Sequence, residues 1–275
     1  MQLQAFDGLI DLPRGAVRVR VRGEGPPLIW SHGVFFPLDV DDESTLGRVL
    51  GDVSGFTVIR WDARGHGRSP AAATADEHRW DRLGDDVLAL ADALGIERFA
   101  AGGISMGAAV TLHAAVKAPQ RIEAMMLLAM PTAWETRPAE QERYRELLAF
   151  GSPEALAAHV QEDLDAVFPP GTLPASLRAM VAHLRAQEWM ALERVIAGAS
   201  QSDMPSKDVL AALRVPALLR PWPNDSGHPM STAEALFATL PEADMVLLGG
   251  FDDEIGIRGA LSDLHGRCAP RARPD

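Results

Sequence analysis

Ser105 sits in the middle of Gly103-Ile104-Ser105-Met106-Gly107, between the apolar run from Phe99 and the small-residue run Ala108 to Lys117. A serine hydroxyl attacks a carbonyl when a neighbouring base takes its proton and nearby donors hold the oxyanion that forms. Gly-x-Ser-x-Gly spacing suits such a serine. A strand turning sharply into a helix leaves room only for small residues two positions to either side, and the turn lifts the hydroxyl clear of the sheet. The same reading puts Ser105 at the positive end of the following helix. A second chemically promising stretch is Ser31-His32-Gly33-Val34. There the amide of Val34 is placed to hold an oxyanion jointly with the amide of Met106. The His32 side chain is expected to brace its loop. His66, between two glycines, is expected to be an exposed turn residue without a catalytic part.

These residues need elements to position them. Leu28 to Trp30, Phe56 to Trp61 and Phe99 to Gly102 are short apolar strands, and Thr45 to Val53 and Trp80 to Leu94 have helical periodicity. Val17-Arg18-Val19-Arg20-Val21-Arg22 alternates with a period of two, which predicts a half-buried strand whose wet arginine face protects a sheet edge. Asp62 and Arg64 can pair across the turn that contains them. Repeated strand–helix alternation predicts a mainly parallel sheet with helices on both faces. In such sheets sites lie at the carboxyl ends of strands, where His32, Asp62 and Ser105 all fall. Further on come a strand from Glu123 to Met130 and three helical stretches, Pro138 to Phe150, Ser152 to Phe168 and Leu173 to Ala199. Then follow a strand Val215 to Arg220, a helix Ser231 to Thr239, a strand Asp244 to Leu248 and a helix Asp253 to His265. Ser152-Pro153-Glu154 is a helix start, with a capping serine and proline at the first helical position.

His32-Gly33, Asp62-x-Arg64-Gly65-His66-Gly67-x-Ser69 and Gly103-x-Ser105-x-Gly107, in this order, resemble the α/β-hydrolase superfamily over about residues 15 to 130. The resemblance implies that fold, with Ser105 as nucleophile and the Val34 and Met106 amides as oxyanion hole. It implies a structural part only for the turn from Asp62 to Ser69. It also makes residues 133–205 a helical lid inserted into a core of residues 1–132 and 206–275. Trp189, Met190, Met180 and Phe168 are candidates to line an apolar pocket beneath that lid. The family's acid follows the strand after the lid, commonly an aspartate four residues before a proline; Asp225 and Pro229 match.

The family's general base comes after the last strand, on a Gly-x-Gly-His-like turn. Here that turn reads Gly249-Gly250-Phe251-Asp252-Asp253, with Asp252 in roughly the place of the histidine. Two substitutes stand open. His228, three residues after Asp225, keeps the chain order Ser, Asp, His. Asp252 is the other; a carboxylate near Asp225 would have its proton affinity raised by like charge. His265 is expected to lie far from the serine.

Three functions follow. One is a serine hydrolase of a carboxylic ester, thioester or lactone of a small organic molecule, with Ser105, His228 and Asp225 as triad. Another is a non-hydrolytic lyase- or cyclase-like enzyme using Ser105 and Asp252. The third is a degenerate member that binds a ligand without turnover. The formal charge of −12 offers no basic stripe for nucleic acid and disfavours an acidic membrane surface. One cysteine, Cys268, excludes an intrachain disulfide and fits a reducing cytoplasm. No leader, membrane span, metal site or nucleotide cofactor is expected. A homodimer is compatible with the chain.

Overall fold

The computed structural model describes residues 3–268; Met1 and Gln2, part of the opening stretch read for a leader, lie outside them. The strands are β1 (Phe6–Leu12), β2 (Gly15–Gly23), β3 (Pro27–Ser31), β4 (Thr57–Trp61), β5 (Phe99–Ile104), β6 (Ile122–Leu128), β7 (Ala217–Arg220) and β8 (Ala243–Met245). They form one eight-stranded sheet in the order β1-β2-β4-β3-β5-β6-β7-β8. β1 and β2 pair antiparallel, as do β2 and β4, and all other neighbours are parallel. This is the mainly parallel sheet that the alternation predicts, and the α/β-hydrolase fold that the resemblance implies.

The helices are α1 (Leu38–Asp41), α2 (Thr45–Asp52), α3 (Trp80–Ala93), α4 (Met106–Lys117), α5 (Arg137–Leu147), α6 (Pro153–Val167), α7 (Ala175–Ala186), α8 (Trp189–Ser200), α9 (Lys207–Ala211), α10 (Met230–Thr239) and α11 (Glu254–Cys268). One apolar cluster joins α3, α4 and α10 to one side of the sheet. A second joins α2 and α11 to the other side. A third cluster lies within α5–α8 and takes in Phe35 and Val40 from the segment after β3. Ser152 caps α6 as its sequence implies, accepting from the amide of Ala155 at 3.1 Å. The expected single helix from Leu173 to Ala199 is two, α7 and α8, interrupted by the extended residues Gln187 and Glu188. β8 is shorter than expected: it ends at Met245, although the amides of Val246 and Leu248 still reach the carbonyls of Leu219 and Pro221.

Two readings of polar residues are corrected. Arg18 and Arg20 of β2 are not wet, whereas Arg22 is exposed as expected. Their strand is not the edge, because β1 pairs outside it. Arg18 bonds Asp7 and Asp39 at 2.9 and 2.8 Å, and Arg20 bonds Asp7 at 2.9 Å. The bond from Arg18 leads in holding the Asp7 carboxyl down to about 2. Arg64 does not pair with Asp62 either; it forms a two-point pair with Asp86 at 2.7 and 2.8 Å. Asp62 instead accepts from the amides of Leu38 and Arg68.

His66 is likewise not exposed. It is buried against His32, with ring centroids 4.9 Å apart. Its Gly-flanked turn is folded under the helical layer, so turn composition misled here. Among the described residues no helix is long and apolar enough to cross a membrane.

Burial disfavours the charged imidazole. It pushes His32 down to about 4 and His66 well below its usual value, and it lowers His78 and His113. In the unfolded chain these groups protonate near pH 6.5. Their contribution to stability is therefore complete above about pH 6.5 and is lost as pH falls toward 4. For His32 alone this is worth on the order of 3 kcal/mol. Urea unfolding at pH 7.5 and pH 5 should show the midpoint falling on acidification, well before the carboxylates titrate; equal midpoints would contradict the buried, neutral histidines.

Candidate active site

The site is built at the carboxyl ends of β3, β5 and β7. Adjacent β3 and β5, with Ser31 opposite Gly103, bring the loop after β3 beside the turn after β5. Ser105 has φ 54° and ψ −120°, a conformation that costs a non-glycine residue about 1–3 kcal/mol. Surrounding contacts enforce it. The Ser105 amide donates to Leu128 O at 3.1 Å, and Ser105 O accepts from the Ala108 amide at 2.9 Å to open α4. A Cβ on Gly107 would overlap the Ser31 carbonyl, and one on Gly103 would overlap Gly107. The two glycines therefore let α4 start against the sheet, which is the close approach their spacing predicts.

A Cβ on Gly33 would lie 3.5 Å from Ser105 Cβ, so the loop carrying Val34 passes directly over the serine. Among the described residues no backbone or side-chain acceptor takes the amide of Val34 or of Met106. The loop is tied down from several sides. The Leu38 amide donates to the buried Asp62 at 2.7 Å. Arg60 grips Asp41 and Asp42 at 2.7 and 2.6 Å. His32 braces the loop as expected: its Nδ1 bonds Gly33 O at 2.6 Å, and its Nε2 accepts from the Ala63 amide at 2.9 Å. Those two bonds assign the proton to Nδ1 and leave no free nitrogen for catalysis.

From the other side comes the loop 221–229. Asn224 takes φ 63°, which asparagine tolerates, and Asp225 then folds back on its own loop. Its Oδ1 accepts from the amides of Gly227 and His228 at 3.0 and 3.2 Å. Its Oδ2 accepts from His228 Nδ1 at 2.8 Å and from Trp222 Nε1 at 3.0 Å. Burial favours the protonated acid, yet these donors overcome it and hold the Asp225 carboxyl down to about 2. The far nitrogen of His228, Nε2, lies 2.8 Å from Ser105 Oγ. Serine, imidazole and carboxylate thus form one continuous hydrogen-bonded chain.

Asp252 is placed differently. It is exposed on the turn after β8 and lines the same cavity, and among the described residues its carboxylate bonds to neither Ser105 nor His228. His265 packs on Phe56, away from the cavity lining. The cavity has a volume of about 870 Å³. Its walls include Phe168 and Met180, as expected, but Met190 is exposed and Trp189 packs within the helical layer. Residues that the sequence did not single out, Phe35, Tyr144, Phe150 and Leu177 among them, take their place. The bond from Trp222 to Asp225 was also missed. Its only signal was an indole three residues before the acid in a proline-bracketed loop.

A family model described as alpha/beta hydrolase fold matches residues 26–189. The chain belongs to that family. It is 27% identical over 210 residues to the "Putative carbamate hydrolase RutD" of Caulobacter sp. (strain K31), covering 70% of this chain and 72% of that protein. It is 32% identical over 133 residues to an epoxide hydrolase of Caballeronia sordidicola, covering 48% of this chain and 39% of that one. The crystal structure of a hydrolase from Pseudomonas aeruginosa superposes with a TM-score of 0.77 at 26% identity, covering 94% and 98% of the two chains. The protein is an enzyme of the alpha/beta hydrolase type.

The tight contact at Gly107 sets an expectation. Gly107→Ala should lower stability by at least about 2 kcal/mol, because backbone and not a flexible side chain must yield. At Gly259, exposed in α11, an added methyl would meet nothing within 4 Å, so Gly259→Ala should be neutral or gain up to about 1 kcal/mol. Thermal unfolding of the two variants checks the contrast; similar melting temperatures would refute it.

Proposed function

We propose that this enzyme is a serine hydrolase acting on a carboxylic ester, thioester or lactone of a small, largely apolar organic molecule. The observation that carries this is the position of His228, 2.8 Å from Ser105 Oγ through one ring nitrogen and 2.8 Å from Asp225 through the other. His228 Nε2 takes the proton as Ser105 Oγ attacks the acyl carbon. The amides of Val34 and Met106 receive the oxyanion. As the tetrahedral intermediate collapses, the imidazolium gives its proton to the departing alcohol or thiol, leaving an acyl-serine. Water then enters, is deprotonated by the same imidazole, and releases the acid. Asp225 keeps His228 in the tautomer with the proton on Nδ1 and stabilises the imidazolium.

The cavity supports the substrate class. Phe35, Phe150, Leu164, Phe168, Leu177 and Met180 line it with apolar surface beside the serine. We assign the helices within residues 133–205 as its lid, since α5, α6 and α7 supply much of that wall. The hydrolytic names of the carbamate and epoxide hydrolase relatives agree with a reaction that adds water. No observation favours Asp252 as the base.

A fluorophosphonate probe tests the assignment. Labelling of the wild type should vanish in Ser105→Ala. Ester turnover should fall by roughly six powers of ten in His228→Ala, and by about four in Asp225→Asn, where the tautomer is lost. Asp252→Asn should retain turnover within about tenfold. Labelling that survives His228→Ala at full rate but is lost in Asp252→Asn would overturn the triad.

A further inference from the structure

Asp225 is the meeting point of four donors. Two are backbone amides, Gly227 and His228, and both go to Oδ1 at 3.0 and 3.2 Å. The other two, Trp222 Nε1 at 3.0 Å and His228 Nδ1 at 2.8 Å, go to the same oxygen, Oδ2. A carboxylate offers about four lone-pair positions, so this one is filled. The backbone pair belongs to the fold of the loop. Among the described residues, the indole is the one side-chain donor that shares the carboxylate with the imidazole. Trp222 is itself held firmly. It is 8% exposed and belongs to the apolar cluster that includes Leu218 and Leu248. Its neighbour Pro221 accepts from the Leu248 amide at 2.9 Å. The two rings stand 6.3 Å apart at 62°, edge toward face.

We propose that Trp222 is a positioning residue for the base: its indole N–H fixes the plane of the Asp225 carboxylate and, by competing for Oδ2, sets how strongly that carboxylate holds His228. The inference rests on the triad reading above. Two donors on one oxygen each draw on the same charge. Taking one away strengthens the other bond, and the Asp225–His228 bond favours the imidazolium. The indole therefore limits how tightly the carboxylate grips the imidazole, and it also stops the carboxylate from rotating away from Nδ1. Other charged groups also line the cavity. They are Asp252 from the turn after β8, Asp41 from α1, and Arg137, Glu146, the Glu140–Arg143 pair and the His159–Asp163 pair from the helices between β6 and β7. Among the described residues none of them bonds the His228 ring.

Trp222→Phe keeps an aromatic ring and removes only the donor. The pH dependence of kcat/KM on a neutral p-nitrophenyl ester is the main readout, with Phe251→Leu as a comparison that alters the same cavity wall without touching Asp225. In Trp222→Phe the acid limb should move up by about 0.5 pH unit and kcat should fall about three- to tenfold, with KM changed less than about twofold. Phe251→Leu should change KM and leave the limb in place. An unmoved limb in Trp222→Phe, or the same shift in both variants, overturns the inference. A second measurement uses the wild type alone. The assigned indole N–H resonance of Trp222 should shift with the midpoint of the acid limb, and a resonance indifferent to pH across that limb also overturns it. A wild-type protein that neither labels with fluorophosphonate nor turns over esters removes the triad reading, and this inference with it. A wild type that labels, beside a Trp222→Phe variant with an unmoved limb, removes this inference only.

Discussion

The first turn of α4 lies against the carbonyl ends of β3 and β5 with no space for a side chain. Gly107 meets the Ser31 carbonyl, and Gly103 meets Gly107 in turn. This one steric constraint has several consequences. It forces Ser105 into a backbone conformation that serine does not choose, so the hydroxyl stands clear of strand and helix alike. It also brings the amide of Met106, at the helix start, and the loop carrying Val34 to the same spot. The Ser105 hydroxyl and the proposed oxyanion donors are therefore positioned by backbone packing before any substrate arrives. Pre-positioned donors need no reorganisation as charge develops, and that is where such sites gain most of their effect.

The proposed acid and base follow a different logic. In the resembled family they sit on separate loops, after separate strands. Here Asp225 and His228 are three residues apart on a single loop, and their mutual geometry is an internal property of that loop. The carboxylate closes on the amides of Gly227 and His228, so the turn that makes the loop also orients the acid. Only the approach of this loop to Ser105 depends on the rest of the sheet. The turn after β8 carries no histidine and supplies Phe251 and Asp252 to the cavity wall.

Most of this could be read from the chain because it is local. A Gly-x-Ser-x-Gly turn between a strand and a helix has few structural solutions, and the serine, the glycines and the parallel sheet all came from short-range pattern. Asp225 and His228 were likewise legible as neighbours. That the imidazole reaches Ser105 was not, since the approach is set by packing between residues 123 apart in the chain. The errors share one cause. Arg18 and Arg20 of β2, the glycine-flanked His66 and the Asp62–Arg64 turn each have a local polarity that suggests exposure or a local partner. Each is buried by a segment distant in sequence: β1 and α1 cover the arginines, the helical layer covers His66, and Asp86 claims Arg64. Local polarity describes what a residue needs, and says little about which distant partner meets that need.

The buried charges, then, are part of how the site is held. The segment after β3 has to cross over the serine, carry Val34 there, and stay put. Apolar packing alone does this poorly, because the segment is short and one side of it faces the cavity. Its acidic stretch solves the problem by ion pairing. Asp39, Asp41 and Asp42 reach down to Arg18, Arg20 and Arg60, which project from β2 and β4. A lone buried guanidinium or carboxylate would be costly, whereas charges paired in a network are directional, and direction is what a loop over an active site requires. Phe35 and Val40 from the same segment insert into the apolar cluster of α5–α8. The segment therefore joins the charged face of the sheet to the helices that wall the cavity. Arg18 and Arg20 of β2 do not protect an edge, then; they anchor the strap that carries the amide of Val34, the proposed oxyanion donor, over Ser105.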